Sequence, residues 1–306
     1  MSGTVLDGLP LPDLHRHLDG SLRRATLEEL AGRAGREVPP DLDFRAGMGL
    51  ADALARFSFT LSLMQTPAVV RRVAAEACED AAEDGVTTLE VRFAPQLHRG
   101  APIEAIVDSA IEGIDGRAGL VLCGLYGEPP DVLARLVAVG ACRPGVVGID
   151  LAGGPGTGNS PGLADYAGAF RAAKEAGLGR TVHAGEGRPP SEIRAAIELL
   201  HAQRIGHGTT LLDDPGVVEL VIERGVTIEA CVTSNLHTGA IPSIDAHPLP
   251  RWLDLGVRAC VCPDNTLLSG VTAREEHRRA LSIPGMTVEK LLLAVTNGHR
   301  AAFRRG

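Results

Sequence analysis

The chain has 306 residues, 44% of them hydrophobic and 22% charged, which suits one large domain or two ordinary ones and excludes a disordered or fibrous protein. Thirty Lys and Arg against thirty-eight Asp and Glu leave a net charge of -8, and there is no basic run. This balance argues against nucleic acid or an anionic membrane as the main partner and favours a small neutral or cationic ligand.

Taken in chain order, short β-branched apolar runs alternate with longer segments of helical period. A first strand is expected at residues 9–17, and the longest intervening segment separates it from the second. Strands at 86–94, 120–125, 146–151 and 180–184 are preceded by helices at 67–84, 103–113, 130–139 and 164–177. Strands at 204–207 and 226–232 are preceded by helices at 191–202 and 215–224, and a strand at 257–262 is the eighth. Eight strand-helix units predict an α/β fold of the closed (β/α)8 TIM-barrel type with an inserted helical segment after strand 1, a fold of roughly 250 residues before insertions. An open doubly wound sheet normally carries a glycine-rich turn after its first strand, whereas His17 to Ser21 here read His-Leu-Asp-Gly-Ser. No linker divides the chain, so residues 1–306 are expected to form a single domain. The glycine cluster at 153–158 lacks the ending of a phosphate loop and reads as a plain loop.

Six cysteines (78, 123, 142, 231, 260 and 262) include no Cys-x-x-Cys pair and read as small core residues of a cytoplasmic protein. The N-terminal segment lacks the basic and apolar regions of a secretion signal. No stretch approaches the roughly 18 apolar residues of a membrane span.

In a barrel, reactive groups come from the C-terminal ends of the strands. Strand 1 ends in His15-Arg16-His17, whose period-two alternation puts both histidines on one face, with Asp19 just beyond. Strand 5 ends in His183, Ala184, Gly185 and Glu186; strand 6 ends in His207; strand 8 runs into Asp264 and Asn265. His15, His17, His183 and Asp264 make a nitrogen and oxygen donor set suited to zinc, and Glu186 and His207 remain as acid and base. Zinc lowers the pKa of a bound water toward about 7. His98, His201, His237, His277 and His299 read as ordinary hydrogen-bonded or surface histidines, and Cys260 and Cys262 as core. The only lysines are Lys174 and Lys290, neither near the end of strand 4, so the modified lysine that bridges two cations in many barrel hydrolases has no counterpart and one Zn2+ ion is expected.

Seven segments, at residues 12–22, 89–95, 148–153, 181–186, 204–208, 231–235 and 247–248, occur in the order found in adenosine and AMP-type deaminases of the amidohydrolase superfamily, and the chain resembles that family over nearly its whole length. The resemblance implies zinc-dependent hydrolytic deamination of a purine nucleoside at C6, most simply adenosine or 2′-deoxyadenosine. It implies that His15, His17, His183 and Asp264 hold zinc, that Glu186 protonates ring N1, and that His207 orients the attacking hydroxide and accepts its proton. Such a donor needs a carboxyl pKa raised by burial. By the same resemblance, Asp19 accepts from the ribose 5′-hydroxyl and repels a 5′-phosphate, the Gly185 N–H meets purine N3, and Asn265 meets N7. Residues 57–64 correspond to a gate over the purine or, equally, to a helix packed on the core.

Three positions depart from the family pattern. Asp264-Asn265 stands for an Asp-Asp pair, and an Asn amide donates to N7 without needing to be protonated. Tyr126 follows strand 3 where many relatives have Arg, and residues 153–159 lack the usual acidic residue. The last two bear on substrate and keep a second reading open, a 5′-modified nucleoside such as 6-amino-6-deoxyfutalosine or a thioadenosine. Free adenine leaves Asp19 without its sugar partner. A non-catalytic nucleoside-binding barrel conflicts with the complete set of ligand and acid-base residues.

Overall fold

The computed structural model describes residues 6–154 and 160–303. Eight strands, β1 (Leu11–His17), β2 (Val86–Phe93), β3 (Gly119–Leu125), β4 (Val146–Ala152), β5 (Gly179–Ala184), β6 (Arg204–His207), β7 (Thr227–Ala230) and β8 (Arg258–Val261), lie side by side in chain order. Every neighbouring pair is parallel. The seam between β8 and β1 is closed just past the last strand, where the His17 N–H donates to the Asp264 carbonyl at 2.8 Å. The expected (β/α)8 barrel is therefore present, with strand boundaries within two residues of those read from the sequence.

The insertion after β1 holds α1 (Arg24–Arg33) and α2 (Leu50–Leu63), and α3 (Pro67–Glu83) leads into β2. Around the barrel follow α4 (Ile103–Ile114), α5 (Pro130–Ala141), α6 (Ala167–Glu175), α7 (Ser191–Glu198) and α8 (Pro215–Arg224). The last part of the chain adds α9 (Val232–His237), α10 (Leu249–Asp254), α11 (Ala273–Ser282) and α12 (Val288–Ala301). Local sequence sets these limits. In α8 the Asp214 carboxylate accepts from the Gly216 and Val217 N–H groups, Pro215 takes the first turn, and Gly225 ends the helix at φ 63°. The strand expected at 226–232 instead ends at Ala230, and Val232 opens α9.

One continuous apolar core lies between the strands and the helix ring. α12 lies across the β8–β1 seam, where a Cβ on Gly298 would come within 2.5 Å of Pro12, so only glycine lets the helix approach this closely. Asn297 Nδ2 donates to the Ala259 carbonyl at 3.3 Å. Beyond α12, the Phe303 ring stacks on the Arg204 guanidinium, 3.6 Å from its centroid, at the N-terminal end of the barrel. Among the described residues no helix is long and apolar enough to cross a membrane.

Candidate active site

The C-terminal ends of the strands converge on one cluster. The inward nitrogens of His15, His17 and His183 lie within 4.8 Å of one another. His17 Nε2 is 3.2 Å from His183 Nε2, and Asp264 Oδ1 is 3.6 Å from His15 Nε2 and 3.5 Å from His17 Nε2. His15 Nε2 is buried and has no hydrogen-bond partner among the described residues. A buried imidazole nitrogen left in this way, beside two more imidazoles and a carboxylate, is the environment a divalent ion would complete, so these residues fit zinc.

Behind the histidines the barrel interior is ionic where branched aliphatic layers are usual. His15 Nδ1 pairs with Glu229 Oε2 at 2.6 Å and His183 Nδ1 with Asp150 Oδ2 at 3.0 Å. Arg92 bridges these carboxylates, with Nη1 2.7 Å from Asp150 and Nη2 2.9 Å from Glu229, and Arg204 Nε holds the other Glu229 oxygen at 2.7 Å. The carboxylates fix the outer N–H of each imidazole and so turn the lone pair of Nε2 inward. Burial, together with the charge of neighbouring cationic groups, pushes His15 and His17 well below the usual histidine range and keeps both neutral. Burial works the same way on His183, but Asp150 outweighs it and raises that pKa. Cys231 also comes within 4.8 Å of His15, His207 and Asp264; burial raises its thiol far above the usual range, so it stays protonated and donates to the Glu229 carbonyl. Cys260 and Cys262 pack with Leu14 and Cys231, as expected of core residues.

Glu186 follows β5 and His207 ends β6. Burial raises the Glu186 pKa, although Thr238 Oγ1 donates to its Oε1 at 2.8 Å. Burial, then repulsion from His183, lowers His207 to about 3. Its orientation follows from a chain of fixed polarity. The Leu249 N–H can only donate, and it donates to His247 Nδ1 at 3.1 Å, so the His247 proton sits on Nε2. That N–H donates to Asn235 Oδ1 at 3.3 Å, which turns the Asn235 amide nitrogen toward His207 Nδ1 at 2.9 Å. Neutral His207 therefore carries its proton on Nε2. His207 and Asp264 both adopt left-handed backbone, at φ 72° and 63°, a strain that clusters at functional positions.

The cluster opens into a cavity of about 320 Å³. Asp19, Glu186, His207 and Asn265 line it, whereas none of the five histidines read as ordinary does so. Asp19 Oδ1 and Asn265 Oδ1 are buried without partners among the described residues, and burial pushes Asp19 up to about 7. Gly20 makes room for this pair: a Cβ there would fall 2.2 Å from Asn265 Oδ1. Leu50, Ala53, Leu54, Phe57 and Leu61 of α2 form an apolar wall, while Phe59 and Leu63 of the same helix are buried in the core. Within residues 57–64, Phe57 and Leu61 thus face the cavity while Phe59 and Leu63 pack on the core, as the helix reading expects. Gly185 stands outside the cavity lining; its φ of 69° and the nearby Ile193 side chain already demand glycine, and its N–H reaches Glu192 at 3.4 Å. Tyr126 lines the wall, donates to the His183 carbonyl at 2.7 Å, and is covered by Arg188. Of the loop at 153–159, Gly153 and Gly154 line the cavity, and residues 155–159 lie outside the described residues.

Glu229, Asp150, Arg92, Asn235 and His247 received no role from the sequence. Three of them could have been found by one signal, a charged residue in the middle of an apolar strand, since a barrel interior tolerates it only when paired.

The adenosine deaminase family model matches residues 10–305. An adenosine deaminase from Serratia proteamaculans is 33% identical over 317 aligned positions, covering 96% of this chain and 94% of that protein. Among solved structures, an adenine deaminase from Arthrobacter aurescens aligns with a TM-score of 0.85 at 25% identity, covering 97% of this chain and 94% of that one. The N6-methyl-AMP deaminase of Arabidopsis thaliana gives the same TM-score and identity, covering 98% and 94%.

Proposed function

The chain belongs to the adenosine deaminase family of metal-dependent hydrolases and is a hydrolytic deaminase acting on C–N bonds, and from that premise we propose that its substrate is adenosine or 2′-deoxyadenosine, converted to the inosine product and ammonia. The observation that carries this choice is the charge of the cavity. Among the described residues no Lys or Arg lines it, and Asp19 presents a carboxyl oxygen without a partner there. A sugar hydroxyl would satisfy that oxygen, whereas a 5′-phosphate would find no compensating cation among the described residues and would be repelled by the ionised form of Asp19.

We assign one Zn2+ to His15, His17, His183 and Asp264; when bound, zinc supplies an activated water as nucleophile. Glu186, its pKa raised by burial, gives its proton to N1 as the water oxygen adds at C6; one proton of that water leaves with the amine as ammonia, and the other returns to Glu186 as the C6 carbonyl forms. His207 presents Nε2–H and orients the nucleophile by donating to it. Acceptance of a proton there, the other role implied by the resemblance, first requires the Asn235 amide to turn over. The Asn265 amide donates to N7, and the Gly185 N–H, only loosely held by Glu192, serves N3. With proposed ligands running from His15 to Asp264, we read residues 1–306 as one catalytic unit acting in the cytoplasm.

The apolar α2 wall supports a second reading, a nucleoside whose 5′ substituent is uncharged and apolar, such as a thioadenosine. The test is a spectrophotometric panel of adenosine, 2′-deoxyadenosine, 5′-methylthioadenosine, AMP and adenine on one sample of measured metal content. The two plain nucleosides are expected to have the highest kcat/KM and AMP none. A higher kcat/KM for the methylthio compound selects the second reading, and inactivity on every 6-aminopurine overturns both.

A further inference from the structure

A second cavity, of about 730 Å³, opens at the opposite end of the barrel, around the starts of the strands. Among the described residues its lining includes Lys174, Arg180, Arg224, Arg258 and Arg300 but no Asp or Glu, in a chain whose net charge is -8. None of these five cations pairs with a carboxylate among the described residues. Arg204 also lines it, but its charge is taken up by Glu90 at 2.5 Å and Glu229 at 2.7 Å.

Helix ends explain part of this cluster. Lys174, Arg224 and Arg300 lie in the last turns of α6, α8 and α12, where cations oppose the helix dipole. Each helix end contributes on the order of half a negative charge, so three of them leave a clear positive excess. They also do not account for Arg180 and Arg258, which begin β5 and β8. Arg180 is 9% exposed and, among the described residues, its guanidinium meets only carbonyls, those of His201 at 2.9 Å and Leu178 at 2.8 Å. A buried cation is costly without a counter-ion, and burial lowers the Arg180 pKa with no anion to offset it.

We propose that this cavity binds a small molecule carrying a condensed phosphate group. Guanidinium groups match phosphate oxygens in bidentate geometry. Five cations around a concavity suit a compact multiply charged anion better than an extended polyanion, and the volume falls in the range of small-molecule sites.

Isothermal titration calorimetry of the full-length protein with pyrophosphate at low ionic strength tests this, with ATP as a second arm. Saturable one-to-one binding that weakens with added salt is expected. The double variant Arg224→Gln/Arg258→Gln, at two exposed positions outside the catalytic site, should bind about tenfold or more weakly while its deaminase turnover is unchanged. ATP binding as tightly as pyrophosphate or more so identifies a nucleotide as the source of the phosphate; tighter pyrophosphate identifies the free anion. Absence of saturable heat from both, binding unaltered in the double variant, or binding abolished by inosine overturns the proposal.

Discussion

Asp264 donates its backbone N–H to the His15 carbonyl at 3.0 Å and brings its own Oδ1 to 3.6 Å from the Nε2 of the same histidine. The residue that joins the last strand to the first is thus also the one that completes the proposed ligand set. Asp264→Asn retains a residue tolerant of the left-handed backbone while removing the charge. It should keep the fold and bind zinc about 10–100-fold more weakly, a loss of the size seen when ligand support is removed. Competition with a chelator of known affinity, followed by circular dichroism, checks both halves.

Glu186→Gln should retain metal and substrate binding and lower kcat by about 10²–10⁴-fold, the usual worth of a positioned acid. In the wild type the protonated form is the active one. Turnover should therefore be full below the pKa of Glu186 and fall as pH rises through it, with that limb displaced upward because burial raises the pKa. The same shift opposes folding once pH exceeds the ordinary glutamate range, since the unfolded chain ionises first. Glu186→Gln should accordingly gain stability relative to wild type as pH rises, which denaturant titrations at two pH values would detect.

Asp19→Ala removes the only carboxyl group, among the described residues, that lines the cavity besides Glu186 and Asp264. It should lower kcat/KM for adenosine by about 10–200-fold and for 5′-deoxyadenosine much less, narrowing the gap between them. Equal losses on the two substrates would remove Asp19 from hydroxyl recognition.

Glu229 holds Arg92, Arg204, His15 and Thr181 together at a fully buried point. Glu229→Leu leaves two buried guanidinium groups short of a partner and should cost about 3–5 kcal/mol. Equilibrium urea unfolding measures this cost directly.

His247→Phe preserves an aromatic ring against Trp252, 5.4 Å away in the wild type, and deletes the N–H that orients Asn235. The fold should survive with kcat reduced about tenfold and KM little changed. In the 15N spectrum of the wild type, His207 Nδ1 should appear unprotonated. Asn235→Asp should move the proton to Nδ1, because a carboxylate accepts where the amide donated.

The barrel was readable because each strand keeps an apolar run bounded by turn residues, and its ends were readable because His15, His183, His207 and Asp264 interrupt such runs with titratable groups. Asn235 and His247 were not readable in role. Their part depends on which atoms face each other across α9 and the start of α10, and polar residues next to a helix carry no such information in their spacing. Gly185 shows the reverse: the glycine was legible, but its left-handed backbone and the Ile193 side chain explain it without reference to a ligand.

The seam at Asp264 has a consequence in time as well as in space. His15 is synthesised before the seven strands that follow β1 and Asp264 after the last of them, and α12, which covers their junction, emerges later still. During translation β1 must wait for β8 before it gains its second neighbour. The nascent protein therefore carries an open strand edge and an incomplete set of proposed ligands until β8 and Asp264 have emerged, and capture of the proposed ion belongs after that point.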